Sequence, residues 1–117
     1  MPEHENDALY NTIKLSRKLR PFAEQAEWSI ADVLTKATEE LGEFSEAVQI
    51  ERGKFPHKTR ELDAPFYEAA DLIQCVMDVL SRLYSTKSPA EICTLVHHAI
   101  NSKNVKWEAV VTPEAPE

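Results

Sequence analysis

Only two glycines, Gly42 and Gly53, occur in the whole chain, and that scarcity removes most of what a β-fold requires. Tight hairpins need residues at positive φ, for which glycine is the usual choice. No run of alternating β-branched residues supplies strands for such turns to join. Glycine-rich phosphate loops are excluded on the same ground. The chain is therefore expected to be all-α, a helical bundle of about four helices. Its 117 residues suit one domain, placed at 1–109, with a disordered tail at 110–117 around Pro113 and Pro116. At 43% hydrophobic residues, it has enough apolar surface to build a core without disulfides.

Local signals divide the chain. A first helix is predicted from 7 to about 20, with Leu9, Ile13 and Leu19 inward and Pro21 as its breaker. A second begins at Ser29, an N-cap with Asp32 three residues on, and runs to about Arg52, where Gly53 takes the C-cap position. Residues 54–62 hold Pro56 and, with Arg52, the basic group Lys54, His57, Lys58 and Arg60, and read as an exposed loop. The third helix opens at Asp63 with Pro65 in its first turn and continues to about Tyr84. Ser88 and Glu91 have capping-box spacing and open a fourth, expected to end near Asn101 or Lys103.

The formal charge is −7, a field that repels nucleic-acid polymers and anionic membranes. An anionic ligand would therefore need a divalent cation to invert the local field. Cys75 and Cys93 belong to no Cys/His cluster, which argues against zinc and a disulfide framework. The first ten residues are acidic rather than apolar, and no stretch approaches a membrane span, so a cytoplasmic protein is expected.

At about 100° per residue, Ile30, Val33, Leu34, Ala37, Leu41, Phe44 and Val48 form one apolar stripe on the second helix. Glu39 and Glu43 fall on the opposite face, and Glu40 at the edge of the stripe. On the third helix Ala69, Ala70, Leu72, Ile73, Val76, Met77, Val79, Leu80, Leu83 and Tyr84 cover about half the circumference, more than one neighbour needs. Glu68 and Asp71 pair on the border of that arc. Like charges three or four residues apart repel, and two such pairs on adjacent helices call for a hard cation. Mg²⁺ suits them, with Mn²⁺ as a substitute, because it takes oxygen ligands and keeps several waters. An acidic pair alone is usually a solvated face; the two pairs together, each edging an apolar stripe, favour a site.

The segments KATEELGEFSEAV (36–48) and YEAADLIQCVMDVL (67–80) resemble the signature of the MazG-like nucleotide pyrophosphohydrolases, in the all-α NTP pyrophosphatase superfamily. The resemblance covers mainly 36–80. It implies Mg²⁺-dependent hydrolysis of a nucleoside triphosphate to a monophosphate and pyrophosphate. Glu40, Glu43, Glu68 and Asp71 are the implied metal ligands. Glu39 is the residue that orients or deprotonates the attacking water, with Glu46 on the same face as a second candidate; Glu39, Glu40 and Glu43 make up the catalytic set.

Carboxylates supply no cations for the leaving pyrophosphate, so Lys36, Lys54, Lys58, Lys103 and Lys106 are candidates for that role. The stretch NSKNVKW (101–107) matches the family's last-helix pattern imperfectly, with Lys106 but no arginine. Asp78 is a candidate for sugar or metal water, with a solvated charge as its equal alternative. Trp28 is a candidate for base stacking, although packing is the commoner use of a tryptophan; Trp107 is read the same way, with tail docking as its ordinary role. His97 and His98, about 100° apart, cannot chelate as a pair, and Cys75 reads as a small buried thiol. A homodimer or homotetramer is expected from the third helix. Two alternatives stay open: a phosphoribosyl-ATP or dUTP-selective pyrophosphatase of the same superfamily, and a non-enzymatic helical interaction module.

Overall fold

The computed structural model describes residues 7–19 and 29–111. Four helices make up the fold: α1 (Ala8–Leu19), α2 (Ile30–Glu51), α3 (Ala64–Leu83) and α4 (Pro89–Val111). No strand occurs among the described residues, and no helix among them is long and apolar enough to cross a membrane. The all-α expectation holds.

The helix starts follow from local chemistry. Asp7 Oδ1 accepts the backbone N–H groups of Leu9 and Tyr10, at 3.0 and 3.2 Å. Ser29 and Asp32 form the full capping box, the Asp32 N–H donating to Ser29 Oγ at 3.2 Å and the Ser29 N–H to Asp32 Oδ2 at 2.8 Å. Ser88 and Glu91 repeat the reciprocal pair on α4. Each such cap satisfies N–H groups that the first turn leaves orphaned, worth about 1 kcal/mol.

α2 ends in a Schellman motif. Gly53 takes φ +76°, its N–H donates to Ile50 O, and the Lys54 N–H donates to Gln49 O at 2.9 Å. Both bonds close carbonyls that the last turn would otherwise expose. Asp63, at the N-cap of α3, is the one described non-glycine residue at positive φ (60°), and its side chain makes no capping bond.

α3 is the central element, with α2 on one side and α1 and α4 on another. Ile13, Met77, Ile92 and Cys93 form the buried cluster joining α1, α3 and α4, flanked by Leu9, Tyr10, Leu80 and Val96. A second seam runs between α2 and α3. On α2 the buried and half-buried positions Val33, Ala37, Glu40, Phe44 and Ala47 alternate steps of four and three; on α3 Glu68, Leu72, Cys75, Val79 and Arg82 do the same. That spacing is the repeat of helices packed along a common seam. α1 and α3 are also laced by polar groups. Asp78 accepts hydrogen bonds from the Ser16 hydroxyl and from Arg82 Nε, while Arg17 donates to Ser81 Oγ and to the Tyr84 carbonyl.

Several predicted details are corrected. Leu34 and Leu41, placed on the core stripe, are about half exposed, as are Leu19, Ile73, Val76, Leu83 and Tyr84. The seam of α2 is rotated so that Glu40, expected at its edge, lies near its centre. α4 continues well past Asn101 and Lys103 to Val111, because no glycine or proline interrupts 101–111. Residues 112–117 of the proposed tail lie outside the described residues.

The radius of gyration is 17.8 Å, against about 13 Å for a compact chain of this length. α4 packs through its first turns, and every residue from His97 to Val110 is exposed.

Candidate metal centre

Three carboxylates from two helices converge at the α2–α3 seam. Glu40, Glu68 and Asp71 each offer an oxygen, and these oxygens lie within 4.8 Å of one another. Helix spacing explains the convergence: Glu68 and Asp71 are three residues apart on one face of α3, and the seam brings Glu40 of α2 against that face.

Burial differs among them. Glu40 is only 6% exposed, Glu68 is half-buried and Asp71 is exposed. Lys36, one turn earlier on α2, donates to Glu40 Oε1 at 3.0 Å. The other oxygen, Oε2, is buried without a hydrogen-bond partner, and so is Oε2 of Glu68. Buried carboxylate oxygens left unpaired are costly, and a cation held by this cluster could satisfy them. The donor set is all oxygen, which favours a hard ion.

Glu43 stands one turn after Glu40. The Glu40 charge, desolvation and the Glu68 charge hold its carboxyl above the ordinary range, against an opposing pull from Lys36. Two carboxyl groups in contact cannot both ionise freely, so Glu43 retains its proton more readily than an isolated glutamate. Lys36 is in turn held protonated to higher pH by its bond to Glu40.

The acidic cluster lies between two clefts. The larger, about 600 Å³, is bounded by Glu43 and Glu68 on one side and by the α2–α3 connection on the other. The smaller, about 290 Å³, is lined by Lys36, Glu40, Asp71, Gln74, Cys75 and Asp78. Burial and the surrounding carboxylates raise the Cys75 thiol, which leaves it a poor nucleophile.

Of the residues singled out from the sequence, Glu40, Glu43, Glu68, Asp71 and Lys36 are brought together. Glu39 is exposed beside them, 3.9 Å from Lys36 Nζ. Asp78 lines the smaller cleft, but its carboxylate is engaged by Ser16 and Arg82. Lys54 follows the α2 C-cap and lines neither cleft. Lys103, Lys106 and Trp107 sit on the exposed part of α4, away from both clefts. Trp28 lies outside the described residues. Sequence reasoning did not nominate Gln74, which lines the smaller cleft, and marked Arg60, which lines the larger, only as part of the basic connection. Gln74 follows Asp71 by three residues and is legible from helix spacing; Arg60 is in a loop, where no periodicity applies.

Comparison of the chain with known family models, curated proteins and solved structures returns no match.

Proposed function

We propose that the chain is a cytoplasmic, Mg²⁺-dependent nucleoside triphosphate pyrophosphohydrolase of the MazG-like kind, converting NTP or dNTP and water to the monophosphate and pyrophosphate. The observation that carries this reading is the pair of buried, unpartnered oxygens, Glu40 Oε2 and Glu68 Oε2, within a three-carboxylate cluster. Glu40, Glu43, Glu68 and Asp71 would hold the ion. Bound there, Mg²⁺ supplies charge neutralisation for the triphosphate and makes a coordinated water more acidic.

The chain's own groups do the rest. Phosphoryl transfer depends mostly on positioning and electrostatics, and carboxylates on two packed helices are rigid positioners. Glu39, exposed next to the cluster, takes the proton of the attacking water. Lys36 fixes Glu40 and balances part of the acidic charge.

The test is incubation of the purified protein with each common NTP and dNTP, with and without Mg²⁺, assaying pyrophosphate separately from orthophosphate. Metal-dependent pyrophosphate release is expected; absence of release from every common nucleotide, with no response of thermal stability to Mg²⁺, would overturn the reading in favour of an interaction module.

The reading includes self-association as a homodimer or homotetramer. It is supported by Phe66, Tyr67, Val105 and Trp107, all at least two-thirds exposed, and by the open shape. Exposed large apolar side chains are the kind of surface that an interface between copies would cover. Light scattering at micromolar concentration is expected to give a multiple of 13.3 kDa.

A further inference from the structure

The larger cleft is lined in part by the connection between α2 and α3, which carries positive charge into an otherwise acidic wall. Lys58 Nζ pairs with Glu46 at 2.8 Å, and Arg60 Nε pairs with Glu51 at 2.6 Å. All four residues line the cleft together with Glu43 and Glu68. The connection is held at its start by the Schellman motif at Gly53. Within it, Phe55 packs edge-on against His57 at 6.2 Å and lies 5.6 Å beneath Lys58 Nζ. The backbone of the connection is held by its own hydrogen bonds, at Gly53 and from the Lys58 N–H to Phe55 O at 2.9 Å, so the ends of Lys58 and Arg60 can change partner without breaking them.

Both ion pairs are solvent-accessible, and exposed pairs of this kind are weak. A phosphate offers more charge than a carboxylate and suits the planar fork of arginine. The smaller cleft has one lining lysine, Lys36, already committed to Glu40.

We propose that Lys58 and Arg60 bind the pyrophosphate portion of the triphosphate, leaving Glu46 and Glu51 for it when the metal–nucleotide enters the larger cleft. This rests on the pyrophosphohydrolase reading given above. In the reaction the water oxygen bonds to the α-phosphorus, and the bond from that phosphorus to the oxygen bridging to the β-phosphate breaks. That oxygen leaves with the bonding pair as part of pyrophosphate, while the water's proton passes to a carboxylate and then to solvent. Negative charge gathers on the departing group, where Lys58 and Arg60 meet it. Glu46 and Glu51 act as competing anions that hold the two cations in place while the cleft is empty.

Calorimetric titration with Mg²⁺–pyrophosphate tests this on the whole protein. The Lys58→Gln/Arg60→Gln variant is expected to bind it roughly 10- to 100-fold more weakly, the loss of charge-assisted hydrogen bonds. Its thermal stabilisation by Mg²⁺ alone should match that of the wild type. Glu46→Gln/Glu51→Gln should bind Mg²⁺–pyrophosphate more tightly, because the competitors are gone. Arg52→Gln, which removes a cation of the same connection outside the cleft, should change affinity less than about twofold, the scale of screened surface charge. Wild-type affinity in Lys58→Gln/Arg60→Gln would overturn the proposal and leave the enzymatic reading standing. A wild-type protein that binds neither Mg²⁺ nor Mg²⁺–pyrophosphate would overturn both.

Discussion

Lys36 and Glu40, one turn apart on α2, share a 3.0 Å ion pair that satisfies one carboxylate oxygen and leaves the other buried without a partner. The lysine thus accounts for one of the glutamate's two oxygens, in a carboxylate that clusters with Glu68 and Asp71. Replacing Glu40 or Asp71 by its amide keeps the shape and removes the charge that a cation would need. Glu40→Gln, Glu43→Gln and Asp71→Asn are each expected to lower pyrophosphate release by at least about 100-fold, the scale of a lost electrostatic contact in a reacting centre. Circular dichroism should show the helices intact, and turnover near the wild-type rate in any of the three would remove that residue from the metal set.

Cation binding should also register as stability. A ligand that binds only the folded state at a hundredfold excess over its Kd adds about 2.7 kcal/mol. The melting temperature is therefore expected to climb as Mg²⁺ is titrated into chelator-treated protein, and to stay flat in Glu40→Gln/Asp71→Asn. A flat response in the wild type would mean that the acidic cluster is only a solvated face.

The state of Glu43 gives the pH dependence of the metal-free protein a definite sign. Its carboxyl is raised in the folded chain, first by the Glu40 charge, so the native state binds more protons than the unfolded state in the window just above the ordinary glutamate range. Stability must then fall as pH rises through that window. Denaturant midpoints measured with chelator across the window should show the decline, and Glu43→Gln should flatten it. Because protons and metal compete for the same oxygens, Mg²⁺ affinity is expected to drop as the solution is acidified through the same interval.

Asp78 is bound to the fold rather than free for a nucleotide. Its carboxylate accepts from Ser16 across the α1–α3 contact and from the nearly buried Arg82, so Asp78→Ala should destabilise the protein by about 2 kcal/mol. Chemical denaturation should show that loss while Mg²⁺–pyrophosphate affinity stays unchanged. Weakened ligand binding without a change in stability would return Asp78 to the site.

At the end of α2, Gly53 adopts a backbone conformation that a side chain makes costly, at φ +76°. Gly53→Ala is expected to destabilise the fold by about 1–2 kcal/mol, although open space surrounds the added methyl group. Because the same glycine aims the basic connection, pyrophosphate affinity should fall as well. An unchanged denaturation midpoint would show that another residue tolerates this conformation here.

The features legible in the sequence were those written locally. Ser29 with Asp32, Ser88 with Glu91, and Gly53 each announce a helix boundary through bonds spanning a few residues, and all three act as their residue types require. The acidic pairs on α2 and α3 were legible for the same reason. The rotation of α2 about its axis was not, because a stripe drawn from apolar residues counts Leu34 and Leu41 as core and leaves Glu40 at its edge. Burial of a carboxylate near the middle of the seam defies that rule, and only the partner helix reveals it. Contacts across sequence, such as Ser16 with Asp78 and Lys58 with Glu46, leave no periodic trace. The fourth helix was expected to end near Asn101 or Lys103 and runs on to Val111, since no residue of 101–111 breaks it.

Glu40 occupies a seam position where leucine is the common choice, among Val33, Ala37, Phe44 and Ala47. A leucine there would extend the apolar contact with α3 and remove an unpaired buried oxygen, so the substitution is expected to harden the fold while silencing the cluster. Heat tolerance and chemistry thus make opposite demands on one codon. A library of this chain sorted only for survival at high temperature should discard the acid at position 40 early, and one sorted for turnover should keep it.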